Sequence, residues 1–242
     1  MKLLFIVLTV LANFAWAQII PDYAKESRWA SHVEDGLMDG DIVWLSDNDH
    51  EFMAIYTPSE TDTKQTAIVI HGLGVHPDWS QVIQPLRVAL TEKGFNTLSI
   101  QMPVLANGIG GDSYTSLLPN AERRIKVAID YVEKQGLSAN TIIAHSLGSK
   151  MSAYYLANNK HPFKRFIGIG MGKGVSKYLA KINIPTLDLY GDDDIPTVLS
   201  TVTQKQQASK YNPNYTQKMV SADHFFNDKE ELLIDTVSTW LN

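Results

Sequence analysis

From residue 66 to the carboxyl terminus the sequence alternates short apolar bursts with longer amphipathic stretches, and this alternation restricts the possible folds more than any other feature. The bursts occupy 67–70, 97–100, 141–144, 166–169, 186–190 and 216–220, and helical patterns occupy 81–93, 120–135, 146–158, 198–210 and 229–241. A continuous apolar burst is how a strand buried on both faces reads, and helices between such strands supply the crossovers of a parallel sheet. The expected class is α/β, with a mostly parallel central sheet and helices on both faces. Ahead of it, 41–45 and 51–57 read as strands joined through the polar cluster 46–49, which predicts an antiparallel hairpin at the N-terminal edge. Segments 102–118 and 170–177 are glycine-rich loops that follow strands, and the carboxyl ends of parallel strands are where ligand sites form. Only 16 residues separate Ile169 from Thr186, too few for a large cap domain.

The 242 residues, 44% hydrophobic and 19% charged, suit one folded domain, placed at 41–242. Residues 18–40 are polar, with turn signals at Asp35-Gly36 and Asp39-Gly40, and read as an irregular N-terminal arm on the domain surface. Residues 1–17 have a charged start at Lys2, an apolar run over 3–11 and Ala15-Trp16-Ala17 before Gln18, the pattern of a cleaved signal peptide. At 15 residues, and with Asn13 inside it, the stretch 3–17 is shorter than the roughly 20 apolar residues of a membrane span. The mature chain is expected in the periplasm or secreted, as a monomer. Without residues 1–17 it carries 20 basic against 26 acidic residues, and the absence of a basic cluster argues against nucleic acid or anionic lipid as partner. Cysteine is absent, which excludes a disulfide framework, a thiolate metal site and a cysteine nucleophile.

Ser146 stands where the burst 141–144 meets the next helix, with the small residues Ala144, Gly148 and Ser149 around it. A nucleophile on a tight strand-to-helix turn needs small neighbours two before and two after it, and the helix N-terminus then lies beneath the developing negative charge. Serine is also a good helix N-cap, so the motif does not stand alone. A serine hydroxyl needs a base, and the base needs a carboxylate to fix its tautomer. Both are expected downstream, each after a late strand. The burst 186–190 leads into Gly191-Asp192-Asp193-Asp194, and the burst 216–220 leads into Ser221-Ala222-Asp223-His224. Three consecutive aspartates cannot aim enough oxygens at one point to hold calcium. His224 is the expected base, and the acid is expected in the aspartate run, at Asp194 or Asp192. Two backbone N–H groups should bind the oxyanion, those of Leu147 after the serine and Leu73 in His71-Gly72-Leu73-Gly74. His76 and Trp79 are candidates for the substrate pocket, together with the loop from Asn107 to Tyr114, although aromatic residues so placed more often pack in a core. His145 is expected to point away from the nucleophile and to serve packing.

Together His71-Gly72-Leu73-Gly74, Ala144-His145-Ser146-Leu147-Gly148, Tyr190-Gly191-x-x-Asp194 and Ala222-Asp223-His224-Phe225-Phe226 resemble the α/β-hydrolase superfamily over nearly the whole mature chain. More narrowly, His76-Pro77-Asp78-Trp79 and Leu98-Ser99-Ile100-Gln101-Met102-Pro103 resemble an uncharacterised family of exported bacterial hydrolase-like proteins. Ala144 departs from the usual elbow, which has glycine there. The resemblance implies Asp194 as the acid and a Ser-His-Asp ester hydrolase without cofactor or metal, acting on a small or surface-presented ester. A peptidase or other acyl-transfer enzyme with the same residues, or a non-catalytic binding module on the same fold, are the alternatives.

Overall fold

The computed structural model describes residues 19–48 and 50–242. The expected signal peptide and Asp49 of the hairpin turn lie outside the described residues.

The apolar bursts form the strands. In chain order they are β1 (Asp41–Ser46), β2 (Glu51–Thr57), β3 (Gln65–Ile70), β4 (Asn96–Ile100), β5 (Ser138–His145), β6 (Arg165–Ile169), β7 (Thr186–Asp193) and β8 (Tyr215–Asp223). They make one eight-stranded sheet in the order β1-β2-β4-β3-β5-β6-β7-β8. β2 pairs antiparallel with both β1 and β4, and every other pairing is parallel. The N-terminal hairpin is therefore present as expected. Side chains alternate between faces, so both sides of each central strand need cover. Ile68 and Ile70 of β3 join one apolar cluster while Ala67 and Val69 join the other. α3 (Leu118–Lys134) and α4 (Leu147–Asn158) cover the first face through Ile125, Val132 and Met151. α2 (Ile83–Glu92) and α8 (Glu230–Leu241) cover the second through Leu86, Leu90, Leu233 and Val237. From β3 the chain passes to β4 on one side and returns to β5 on the other, a reversal that opens a crevice at the carboxyl ends of the strands.

Two expectations are corrected. Residues 18–40 are not irregular throughout, because α1 (Tyr23–Gly36) occupies most of that stretch, its N-terminus capped by the Asp22 carboxylate accepting from Lys25 N–H at 2.9 Å. Its buried stripe, Glu26, Ala30 and Val33, keeps helical spacing but begins with an ionisable residue, so apolar periodicity alone misses it. Glu26 is paired with a distant partner. Its carboxylate lies 3.0 Å from the Arg124 guanidinium, which also lies 3.3 Å from Asp47, donates to the Gln101 carbonyl at 3.1 Å and covers the Phe52 ring at 4.8 Å. The second correction concerns 198–210, where one helix was expected. The chain forms α6 (Pro196–Leu199) and α7 (Val202–Ala208), and between them the Thr201 hydroxyl donates to the Val198 carbonyl at 2.8 Å, a side-chain bond that competes with helix continuation. α5 (Ser176–Leu179) is a single turn ending the loop after β6.

Arg124 is fully buried and stands between two carboxylates, so its removal strands charge in the interior. Arg124→Met is expected to destabilise the fold by about 3–5 kcal/mol, the cost of an uncompensated buried charge. Urea unfolding followed by tryptophan fluorescence measures it, and a loss below about 1 kcal/mol would show that the network does not hold α1 to the domain.

Candidate active site

The chain leaves β5 through Ser146, whose φ is 52° and ψ is −120°. A non-glycine residue in that region is strained by roughly 1–3 kcal/mol and persists only where surrounding contacts enforce it. The Ser146 N–H donates to the Ile169 carbonyl at 2.7 Å, and the Ser149 hydroxyl donates to the Ala144 carbonyl at 2.7 Å, closing the turn from both sides. Gly148 permits the approach of α4 to β3: a β-carbon there would collide with the His71 carbonyl and lie 2.9 Å from Ile70 Cγ2. Ala144 is fully buried and pairs in register with Gly168, so the neighbouring strand is bare opposite the extra methyl group.

His224 follows β8 and Asp194 follows β7, and the parallel register carries both to the end of the sheet where Ser146 lies. His224 Nε2 is 2.9 Å from Ser146 Oγ, and His224 Nδ1 is 2.6 Å from Asp194 Oδ1. Asp194 also accepts from the Ile195 N–H at 2.8 Å and the Gly191 N–H at 3.3 Å. Asp192 is turned elsewhere, its exposed carboxylate accepting from the Ala222 N–H at 3.2 Å. Of the two candidate acids, only Asp194 meets the imidazole.

Leu73 and Leu147 line the same cleft as Ser146, a depression of about 410 Å³ whose walls also include Gly110, Gly111, Ile195 and Val198. The segment bearing Leu73 is tied at both ends. The His71 ring accepts from the Met102 N–H at 2.9 Å, which places its proton on Nδ1, 2.8 Å from the Gly72 carbonyl. At the other end the Trp29 indole of α1 donates to the Gly74 carbonyl at 3.3 Å.

His76 and Trp79 are not among the residues lining this cleft, a correction of the pocket expectation. They pack with Trp29, at ring separations of 4.8 and 6.2 Å, and are held behind the Leu73 segment by α1. Of the loop from Asn107 to Tyr114, residues 110–113 do form a wall. His145 is buried, and Nε2 stands 3.0 Å from the His224 carbonyl, so it steadies the backbone that carries the imidazole as well as packing beneath it. Gly170 was legible only as a loop glycine. Its φ is 58°, and a β-carbon would lie 2.8 Å from His224 Cε1, so the imidazole occupies the space a side chain would take. Among the described residues no group of three or more histidine, aspartate or glutamate side chains could hold a metal, and no helix is long and apolar enough to cross a membrane.

Burial pushes the His145 pKa down to about 4, assisted by the nearby His224, and pushes His71 down to about 3. Both rings fold neutral, while the unfolded chain protonates them near pH 6.5. Their contribution to stability is complete above pH 6.5 and is lost as pH falls toward 4, by up to about 1.4 kcal/mol per pH unit for each ring. Urea midpoints are expected to drop between pH 7 and 5, and His145→Gln should flatten that dependence. An unchanged slope in the variant would show that His145 already takes up its proton in the folded state.

The solved structures similar to this chain share its architecture. Est1E from Butyrivibrio proteoclasticus is 15% identical, with 83% of this chain and 97% of that one covered at a TM-score of 0.68. An esterase from Pyrococcus furiosus is 14% identical, with 86% and 94% covered at 0.68, and a dienelactone hydrolase from Anabaena variabilis is 15% identical, with 83% and 95% covered at 0.68. Identities this low establish the α/β-hydrolase fold and nothing finer. Among curated proteins no relative is found by sequence. A family profile, however, matches residues 14–116 and 112–242, nearly the entire sequence. The chain therefore belongs to the family described as Protein of unknown function (DUF3530), an uncharacterised family here carried on an α/β-hydrolase fold.

Proposed function

We propose that this protein is a serine hydrolase acting on carboxylic esters. The observation that carries the reading is the unbroken hydrogen-bonded chain from Ser146 Oγ through the His224 ring to the buried Asp194, at the floor of the cleft. In this mechanism His224 Nε2 takes the Ser146 proton as Oγ attacks the ester carbonyl. Asp194 holds the proton on Nδ1 and stabilises the imidazolium that forms. The carbonyl oxygen, now negative, receives the N–H groups of Leu73 and Leu147, and the dipole of α4 favours charge at that point. His224 returns its proton to the departing alcohol, leaving an acyl group on Ser146. Water, deprotonated by the same imidazole, then releases the acid. No step calls on a cofactor.

The open cleft, with no cap inserted between β6 and β7, suits a small or surface-presented ester. The esterase and the hydrolase among its structural neighbours agree in reaction class. Residues 1–17 are proposed as an export signal, which puts the hydrolase domain at 41–242, preceded by α1, in the periplasm or outside the cell.

A fluorophosphonate probe is expected to label the wild-type protein and to fail on Ser146→Ala. With short-chain p-nitrophenyl esters, Ser146→Ala, His224→Ala and Asp194→Asn should each lose at least about 10⁴-fold in kcat, while Asp192→Asn keeps most of it. Labelling that survives in Ser146→Ala would end the proposal, and peptide amides turned over faster than esters would transfer it to peptidases. Protein recovered from the periplasm after expression of the full sequence should begin at Gln18, and an intact Met1 there would refute the processing.

A further inference from the structure

The cleft beside Ser146 is lined by two chemically different sets of side chains. One set is apolar: Leu73, Ile195 and Val198. The other set is cationic, Lys150 and Lys173, with Lys177 close enough to act on Lys150 electrostatically. We propose that these lysines make the cleft selective for esters that carry a negative charge, the anion lying against Lys150 and Lys173 while an apolar portion rests on Ile195 and Val198. The inference rests on Ser146 being the reacting group of an ester hydrolase and deepens it by naming the class of ester.

Lys150 is the fourth residue of α4, so it lies within the first turn of the helix that begins at Leu147. One turn rises about 5.4 Å, so Lys150 starts about one turn from Ser146, and both residues line the cleft. A cation is poorly placed at a helix N-terminus, where the dipole is positive, and no acidic side chain in that turn compensates. The neighbours compound the mismatch. Burial lowers the Lys150 pKa, Asp112 across the cleft works against that shift, and Lys177 and Lys173 add to it. The Lys150 ammonium donates to the Thr115 hydroxyl at 3.0 Å and would lie 3.7 Å from a β-carbon on Gly174. Among the described residues the lysine and arginine ion pairs fall elsewhere, as at Arg87 with Asp78, Lys126 with Glu122 and Lys205 with Asp188. Asp112 is thus one carboxylate acting on Lys150 against two cations. The chain as a whole is acidic, at −5, so these lysines are not part of a generally basic surface. Unfavourable local electrostatics kept at a cleft beside the reacting serine are accounted for when a ligand supplies the missing charge. The anion can be a carboxylate or a phosphate, since two ammonium groups lining the cleft serve either.

Binding can be read without turnover by calorimetry on Ser146→Ala protein. The probes are monomethyl glutarate and 2-acetoxyethyl phosphate, each compared with the neutral dimethyl glutarate. At least one anionic ester is expected to bind about tenfold tighter than the neutral one at low salt, an advantage that shrinks as salt rises. In Lys150→Gln/Lys173→Gln the ratio should fall to about one, and Lys150→Arg/Lys173→Arg should restore it. Equal affinities for neutral and anionic esters, or a preference that persists in the double glutamine variant, would overturn the proposal. Probe labelling of Ser146 reports separately on the hydrolase reading, so that reading can fail while the charge preference stands.

Discussion

The arrangement depends on how closely α4 approaches β3 at Gly148. Because that residue has no side chain, the helix start can press against the carbonyls of Ile70 and His71, and the turn before it is drawn tight enough to hold Ser146 at positive φ. The strain at Ser146 is local, but the contacts that enforce it are those of the sheet itself, including the bond from its N–H to the end of β6. A serine carried on a relaxed loop would sample many rotamers. Here the hydroxyl is fixed above the crevice where the strand order reverses, the one place that the loops after β3, β5, β6, β7 and β8 can all reach.

The imidazole of His224 is held by groups from three other strands, and each contact constrains a different freedom. Asp194, after β7, fixes the ring's tautomer, and His145, at the end of β5, holds the backbone carbonyl. Gly170, after β6, leaves a space that only the ring fills. His145 can hold its place through the physiological pH range because burial keeps it neutral, so it adds no positive charge beside His224. Two histidines with ring centroids 4.8 Å apart thus meet different partners, His224 the Ser146 hydroxyl and the Asp194 carboxylate, His145 the His224 carbonyl.

The sheet, its helices and the edge hairpin were legible because apolar residues repeat with the period of the element they build, and because burial on both faces leaves bursts that no surface strand would show. Ser146, Asp194 and His224 were legible as positions because each follows a burst, where a parallel sheet gathers its loops. What could not be read is what depends on partners far away in sequence. Glu26 looks like a surface residue until Arg124, 98 positions later, is folded against it. Trp79 was a candidate for the pocket although such aromatics more often pack in a core, and Trp29 of a helix not expected from periodicity holds it in packing. Gly170 and Lys150 gave no signal of their own, since a loop glycine and a helical lysine are ordinary residues until their neighbours are known.

The N-terminal helix shows how stability and site geometry share the same residues. Its inner face is fastened by the ion pair of Glu26 with Arg124, a group that also reaches Asp47 beside the edge hairpin and the carbonyl of Gln101 after β4. Its other contacts fall on both sides of the cleft: Trp29 donates to the carbonyl of Gly74, next to Leu73, while the Lys25 ammonium donates to Leu105 at 3.3 Å and Asn107 at 2.8 Å in the loop leading to the cleft wall. Loops gain order only from what they are tied to, and these two are tied to a helix whose own attachment is a buried charge network. Loosening that network would therefore release both walls together. The helix that lies outside the apolar alternation is a structural part of the cleft, although none of its side chains lines it.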